Sequence, residues 1–298
     1  MQVFMLCDSH IHFIPQEIAE HTSFYRGVWT QKKRLLEFLD VNKIDKALLV
    51  YPATDAHLKL GWTKLCEVYN TNLAVLVEED QRIIGCGIVD FDGNVSVQVK
   101  HLREAGFKGI SIASSHDGKF ILEKLQPLFE AAEKHNLAIF VHPQTINPIG
   151  FERVKDPLLM PVLEYSFDNS MFMGLLMMEG ILEKFNIKFI FSSLGGVAPF
   201  LKERFDRVYQ MLRKREMVKD LGKLPSQILS KVYVDTSGAS LQNVKLAIEL
   251  FGEDKILWGS DYPVNASVEE NLRMLDGLVS DIKVKITSEN FIRLFGNK

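Results

Sequence analysis

Ala138-Ile139-Phe140-Val141-His142-Pro143 is the stretch on which the fold turns. A half-buried strand alternates apolar and polar residues. This run does not alternate, and an unbroken apolar run is the pattern of a strand covered on both faces, as in a parallel sheet. Similar β-branched and aromatic runs occupy Val3–Asp8, Lys46–Tyr51, Ile83–Val89, Lys108–Ile112, Lys188–Ser192, Lys231–Asp235 and Lys255–Gly259. The segments between them read as helices. Gln31–Asn42 places Leu35, Leu36 and Leu39 on one face, and Phe120–His135 does the same with Leu122, Leu125, Leu128, Phe129 and Ala132. Asp168–Phe185 and Val197–Lys219 are longer, and Ser267–Val279 opens with Ser267 and Glu270 in a capping-box spacing. Eight such strands alternating with helices predict a (β/α)8 TIM barrel. A doubly wound open sheet is the alternative, but no Gly-x-Gly-x-x-Gly follows the first strand. No linker, repeat or low-complexity tract divides the chain, so residues 1–298 are expected to form a single barrel domain. The long connections Phe13–Thr30 and Pro143–Phe167 follow strands, which in a barrel places them around the site.

Composition narrows the function classes. A chain of 298 residues buries a large core without disulfides. A net charge of -3, from 35 Lys+Arg against 38 Asp+Glu, argues against nucleic acid as the partner. The basic stretch Phe200–Lys219 is interspersed with Glu203, Asp206 and Glu216, as on a solvated outer helix. No apolar run reaches the length of a membrane span, and the first residues lack the basic region of a secretory signal. The three cysteines, Cys7, Cys66 and Cys86, form no Cys-x-x-Cys pair, which points to a reducing, cytoplasmic setting. The Met-rich stretch Met171–Met178 reads as core facing the barrel; if exposed, it would suit a homodimer face.

The chemistry gathers at strand ends. In Asp8-Ser9-His10-Ile11-His12 the two histidines are two residues apart, so an extended chain aims both imidazoles the same way. Imidazole is a common ligand for divalent metals. His142 closes the fifth strand on the same rim. Asp261, in Trp258-Gly259-Ser260-Asp261-Tyr262-Pro263, follows the eighth, which neighbours the first in a barrel. Three imidazoles and one carboxylate make an open site, with a position left for water or substrate. Lys108 starts the fourth strand, at the wrong end of the barrel to bridge two metals, so a single ion is expected. Arg26 and Arg153 lie in the two long rim loops, where either could bind a substrate carboxylate.

These motifs together resemble the amidohydrolase superfamily, in the amidohydrolase-related branch that includes aminocarboxymuconate-semialdehyde decarboxylase. Asp8–His12 is similar to the first motif of that branch, His142 to its third metal histidine, and Trp258–Pro263 to its final motif. Gly180–Phe185 through Leu194-Gly195-Gly196, Tyr233–Gly238 and Glu289–Gly296 resemble further blocks in the same order. The resemblance implies a metal-dependent barrel with His10, His12, His142 and Asp261 as ligands. One position departs from the pattern: where the branch carries His-x-Gly-Gly after the sixth strand, this chain has Ser193. A serine is no base near neutral pH without activation. Asp261 is then the expected base, with His116 after the fourth strand as a substitute and Ser193 left as a substrate contact. The expected activity is hydrolysis of a small-molecule amide, ester or lactone by a metal-activated water. The alternatives are non-oxidative decarboxylation of a small carboxylic acid and a degenerate, metal-poor binding barrel. The expected cofactor is one divalent metal, zinc.

Overall fold

The computed structural model describes residues 5–148, 156–265 and 267–296. Eight strands form one sheet in sequence order: β1 (Cys7–Ile11), β2 (Lys46–Leu49), β3 (Ile83–Gly87), β4 (Gly109–Ala113), β5 (Ala138–His142), β6 (Phe189–Phe191), β7 (Tyr233–Asp235) and β8 (Ile256–Leu257). Every neighbouring pair is parallel. The segment after β8 closes the sheet on β1: the Ser9 amide donates to the Trp258 carbonyl at 2.8 Å, the Asp261 amide to that of His10 at 2.9 Å, and the His12 amide to that of Tyr262 at 2.8 Å. The expected (β/α)8 barrel is the fold observed.

The crossover helices are α1 (Lys32–Val41), α2 (Trp62–Glu79), α3 (Val95–Glu104), α4 (Leu122–His135), α5 (Tyr165–Met178), α6 (Lys202–Arg213), α7 (Leu241–Phe251) and α8 (Asn290–Phe295). Apolar residues split between two layers. One lies between strands and helices and includes Ile11, Leu49, Ile110, Val234 and Trp258. The other fills the barrel with Cys7, Leu48, Val50, Cys86, Phe140, Ile190 and Leu257, and Phe291 and Phe295 of α8 pack onto it.

A bulge in β1 sets the orientation of the first motif. Asp8 pairs with Ala47, but Ile11 pairs with Leu49, so β1 carries one extra residue opposite Leu48. Such an insertion re-aims the side chains that follow it. Cys7 and His10, three residues apart, therefore both point inward, and Ile11 turns to the helix layer. The histidine pair lies inside β1 or directly after it, and so beyond the predicted end of the strand at Asp8.

Several helix expectations are corrected. The Asp168–Phe185 helix breaks at Gly180, whose φ is +73°, and a separate turn covers Ile181–Lys184. Val197–Lys219 starts with a 3-10 turn at Pro199–Leu201 and ends its helix at Arg213. The capping box at Ser267 does not form, because the Ser267 side chain makes no capping bond. The Met-rich stretch divides: Met173 and Met177 are buried, whereas Met171 is 54% exposed.

Candidate metal centre

Three imidazoles converge inside the C-terminal mouth of the barrel. His10 and His12 come from β1 and its end, and His142 from the end of β5. One ring nitrogen from each lies within 4.8 Å of the others, and all three residues are buried. His10 Nε2 is 3.1 Å from His12 Nε2. Asp261, in the loop after β8, brings Oδ1 to 3.2 Å from His12 Nε2 and 3.6 Å from His10 Nε2. Its φ of +63° is left-handed, a conformation Asp tolerates better than most residues.

The outer nitrogens decide what the inner ones offer. His12 Nδ1 meets the Val50 carbonyl at 2.9 Å, and His142 Nδ1 meets that of Pro143 at 2.9 Å. A carbonyl only accepts, so both rings carry their proton on Nδ1 and turn a lone pair inward. His10 Nδ1 likewise faces a carboxylate, Asp235 Oδ2, at 2.9 Å. The inward atoms are thus three imidazole nitrogens and one anionic oxygen. Two lone pairs 3.1 Å apart repel unless a positive charge sits between them. Two nitrogens each about 2.0 Å from a tetrahedral ion lie about 3.3 Å apart, close to this spacing. The donor set fits a single divalent ion.

The electrostatics agree. Burial lowers the pKa of His142 well below the usual imidazole range, and each of the other two rings adds to the effect. Burial lowers His12 too. Burial pulls His10 the same way, but the carboxylates of Asp235, Asp261 and Asp8 together outweigh it and hold His10 above its usual value. Without a metal, the proton His10 retains supplies the positive charge; a divalent ion takes its place and releases it.

Backbone geometry supports the cluster. A Cβ on Gly259 would lie 2.9 Å from His10 Cβ and 3.2 Å from Asp235 Cβ, so only glycine lets the segment after β8 pass this close. Trp29, from the long loop after β1, stacks on the His12 ring with centroids 5.6 Å apart and planes at 24°. That loop is tied to the one after β5 by Tyr25 Oη and Thr145 Oγ1, 2.7 Å apart.

The remaining predicted residues lie elsewhere or play other parts. His116 contacts Trp62 and Phe91, and its electrostatic neighbours are His57, Asp117 and Lys124. Burial drops its pKa to about 4, so it is neutral. The Arg26 guanidinium is spent on its own loop, donating to Thr22 Oγ1 at 2.9 Å and to the Thr22 carbonyl at 2.8 Å. Arg153 lies outside the described residues. Ser193 stands beside the cluster, and its amide donates to Asp235 Oδ1 at 2.9 Å. Asp235, Ser237 and Trp29 were absent from the predicted site. Asp235 was the most legible of the three, being a polar residue that closes an apolar strand as His142 does.

Residues 7–296 match the amidohydrolase family. The chain belongs to that family. The match bears out the resemblance drawn from the motifs. A 2-amino-3-carboxymuconate-6-semialdehyde decarboxylase from Dictyostelium discoideum is 27% identical over 207 residues, which are 67% of this chain and 56% of that protein. The match thus spans little more than half of that relative. Among solved structures, a 5-carboxyvanillate decarboxylase from Sphingomonas paucimobilis superposes with a TM-score of 0.87 at 18% identity, covering 98% of this chain and 99% of its own. A variant of the 5-carboxyvanillate decarboxylase from Novosphingobium aromaticivorans, solved with manganese and 3-methoxy-4-hydroxy-5-nitrobenzoic acid, gives 0.83 at 23% identity, covering 99% and 97%. These relatives are named for loss of CO2, not for hydrolysis. The expectation of an amide, ester or lactone hydrolase is therefore corrected in favour of its decarboxylase alternative.

Proposed function

We propose that this amidohydrolase-family enzyme removes CO2, without oxidation, from a small carboxylic acid, most readily an aromatic one. The observation that carries the reading is the convergence of one ring nitrogen from each of His10, His12 and His142, with the Asp261 carboxylate beside the first two. The decarboxylase names of the relatives direct it to this reaction. His10, His12, His142 and Asp261 would hold one divalent ion. Zinc suits the imidazole-rich set, and manganese, present in one solved neighbour, is the other ion to load. The ion would supply positive charge where negative charge builds on the substrate as the carbon–carbon bond breaks. Asp261 is the one member of the set with part of its side chain open to the mouth. It carries the proton that replaces the lost carboxylate on carbon, so that R–COO⁻ and H⁺ give R–H and CO2. The buried imidazoles, held neutral or engaged, do not exchange that proton. Ser193, whose amide donates to Asp235 Oδ1 behind His10, contacts the distal part of the substrate.

The remaining expectations belong to the same proposal. The chain acts as one barrel domain, since all eight strands share one sheet. Three free, buried cysteines suit a cytoplasmic, reducing setting. No described helix is long and apolar enough to cross a membrane. The half-exposed face of α5 around Met171 is where a second copy would pack in a homodimer.

The test is CO2 release. The zinc- or manganese-loaded protein is offered 5-carboxyvanillate, 2,6-dihydroxybenzoate and related aromatic acids, with the chelated protein as control. Metal-dependent CO2 release supports the reading. Hydrolysis of esters or lactones with no CO2 from any acid overturns it.

A further inference from the structure

Asp235 closes β7 inside the barrel and is fully buried. Its two oxygens have separate tasks. Oδ1 accepts from the Ser193 amide at 2.9 Å, the Ser237 amide at 2.9 Å and the Ser237 hydroxyl at 2.6 Å. Oδ2 meets His10 Nδ1 at 2.9 Å. The space a Cβ on Gly259 would need is bounded by Asp235 Cβ and Cγ, at 3.2 and 3.3 Å, so the carboxylate has little room to turn. We propose that Asp235, clamped by Ser193 and Ser237, is a positioning residue that fixes His10 in the Nδ1–H tautomer and so commits His10 Nε2 to the metal. The inference rests on the metal reading above.

The clamp is also compatible with the departure at Ser193. The bond to Asp235 comes from the backbone amide, which a histidine there would equally provide. Ser193 has a φ of +50°, a left-handed turn that aims this amide back at β7. Its hydroxyl lies 3.1 Å from Ser237 Oγ, which extends the clamp by one more polar contact.

The clamp makes an isosteric substitution informative. Asparagine has one accepting atom and one donating group where aspartate accepts at both. Three donors face Oδ1 and one faces Oδ2, so the amide oxygen of Asp235→Asn turns to the serines and its NH2 turns to His10. His10 must then accept at Nδ1 and carry its proton on Nε2, where it blocks the ion. Carboxylate partners of metal-bound histidines typically change metal affinity by about 10–100-fold when altered.

The experiment is zinc affinity by competition with a chromophoric chelator, together with the 15N spectrum of the His10 ring. Asp235→Asn is expected to bind zinc about 10–100-fold more weakly and to show an Nε2–H His10. Ser237→Ala is expected to weaken zinc binding less, by about tenfold. An Asp235→Asn chain that binds zinc within twofold of the parent, with His10 still Nδ1–H, overturns the proposal. If that variant does not fold, Ser237→Ala decides alone, and unchanged affinity overturns the proposal. A parent that binds zinc but releases no CO2 overturns the reaction and leaves this inference standing. A parent that binds neither zinc nor manganese overturns both.

Discussion

His142→Ala removes one of three converging imidazoles and leaves a pocket where a neutral donor stood. The expected result is a folded chain whose metal content falls from about one ion per chain to near zero, read by elemental analysis after dialysis. Normal content in this variant would take His142 out of the ligand set. Gly259→Ala acts through space instead. Its methyl would meet His10 Cβ at 2.9 Å, a distance real Cβ atoms do not adopt, so either β1 or the segment after β8 must shift. Overpacking of this kind costs about 1–3 kcal/mol. Denaturant titration should show that loss, and zinc affinity should fall with it, because the displaced residue is His10. A variant that lost stability but kept full zinc affinity would show that the strain is absorbed away from His10.

At the scale of elements, the β1 bulge and the turn after β6 matter most. The two histidines share a face for the simple reason that a strand alternates, and this was legible in His-x-His. Which face they share depends on a single inserted residue, and nothing in Asp8–His12 distinguishes a bulged strand from a regular one. The turn after β6 is equally specific. Gly196 has a φ of +70°, and a Cβ there would lie 2.0 Å from the Ser166 carbonyl oxygen at the start of α5. Neither the turn nor the helix backbone can yield that distance locally. Gly196→Ala should therefore cost about 3 kcal/mol or more, in the upper range for single substitutions. The readout is the denaturation midpoint. A loss below about 1 kcal/mol would mean that α5 slides freely over the turn.

For the whole molecule, an ion bound at the centre of a closed barrel ties β1, β5 and the loop after β8 together, so it stabilises the native state by mass action. At a free metal concentration of about 100 times Kd the gain is about 2.7 kcal/mol. Chelation should lower the thermal midpoint by several degrees, and added zinc or manganese should restore it. A midpoint indifferent to chelator, in protein shown by elemental analysis to have carried the metal, would mean that the ion binds the unfolded chain as strongly. A second copy seated on the α5 face would appear as twice the chain mass in solution, and Met171→Glu should return it to the monomer; a monomer at the outset removes that part of the proposal.

Local patterns determined much of this protein. Unbroken apolar runs specify strands buried on both faces, eight of them with intervening helices specify the barrel, and polar residues closing those strands mark its rim. Periodicity and strand ends are properties of short windows, so they survive in a one-dimensional reading. The tertiary structure decided the rest. It showed that Asp235, distant in sequence from His10, lies beside it, that Arg26 is engaged by its own loop, and that His116 belongs to a separate aromatic cluster. It also showed that a glycine after β8 makes the close approach possible. Each of these depends on which strands become neighbours and on how far a side chain reaches across the barrel, distances set only when the sheet closes.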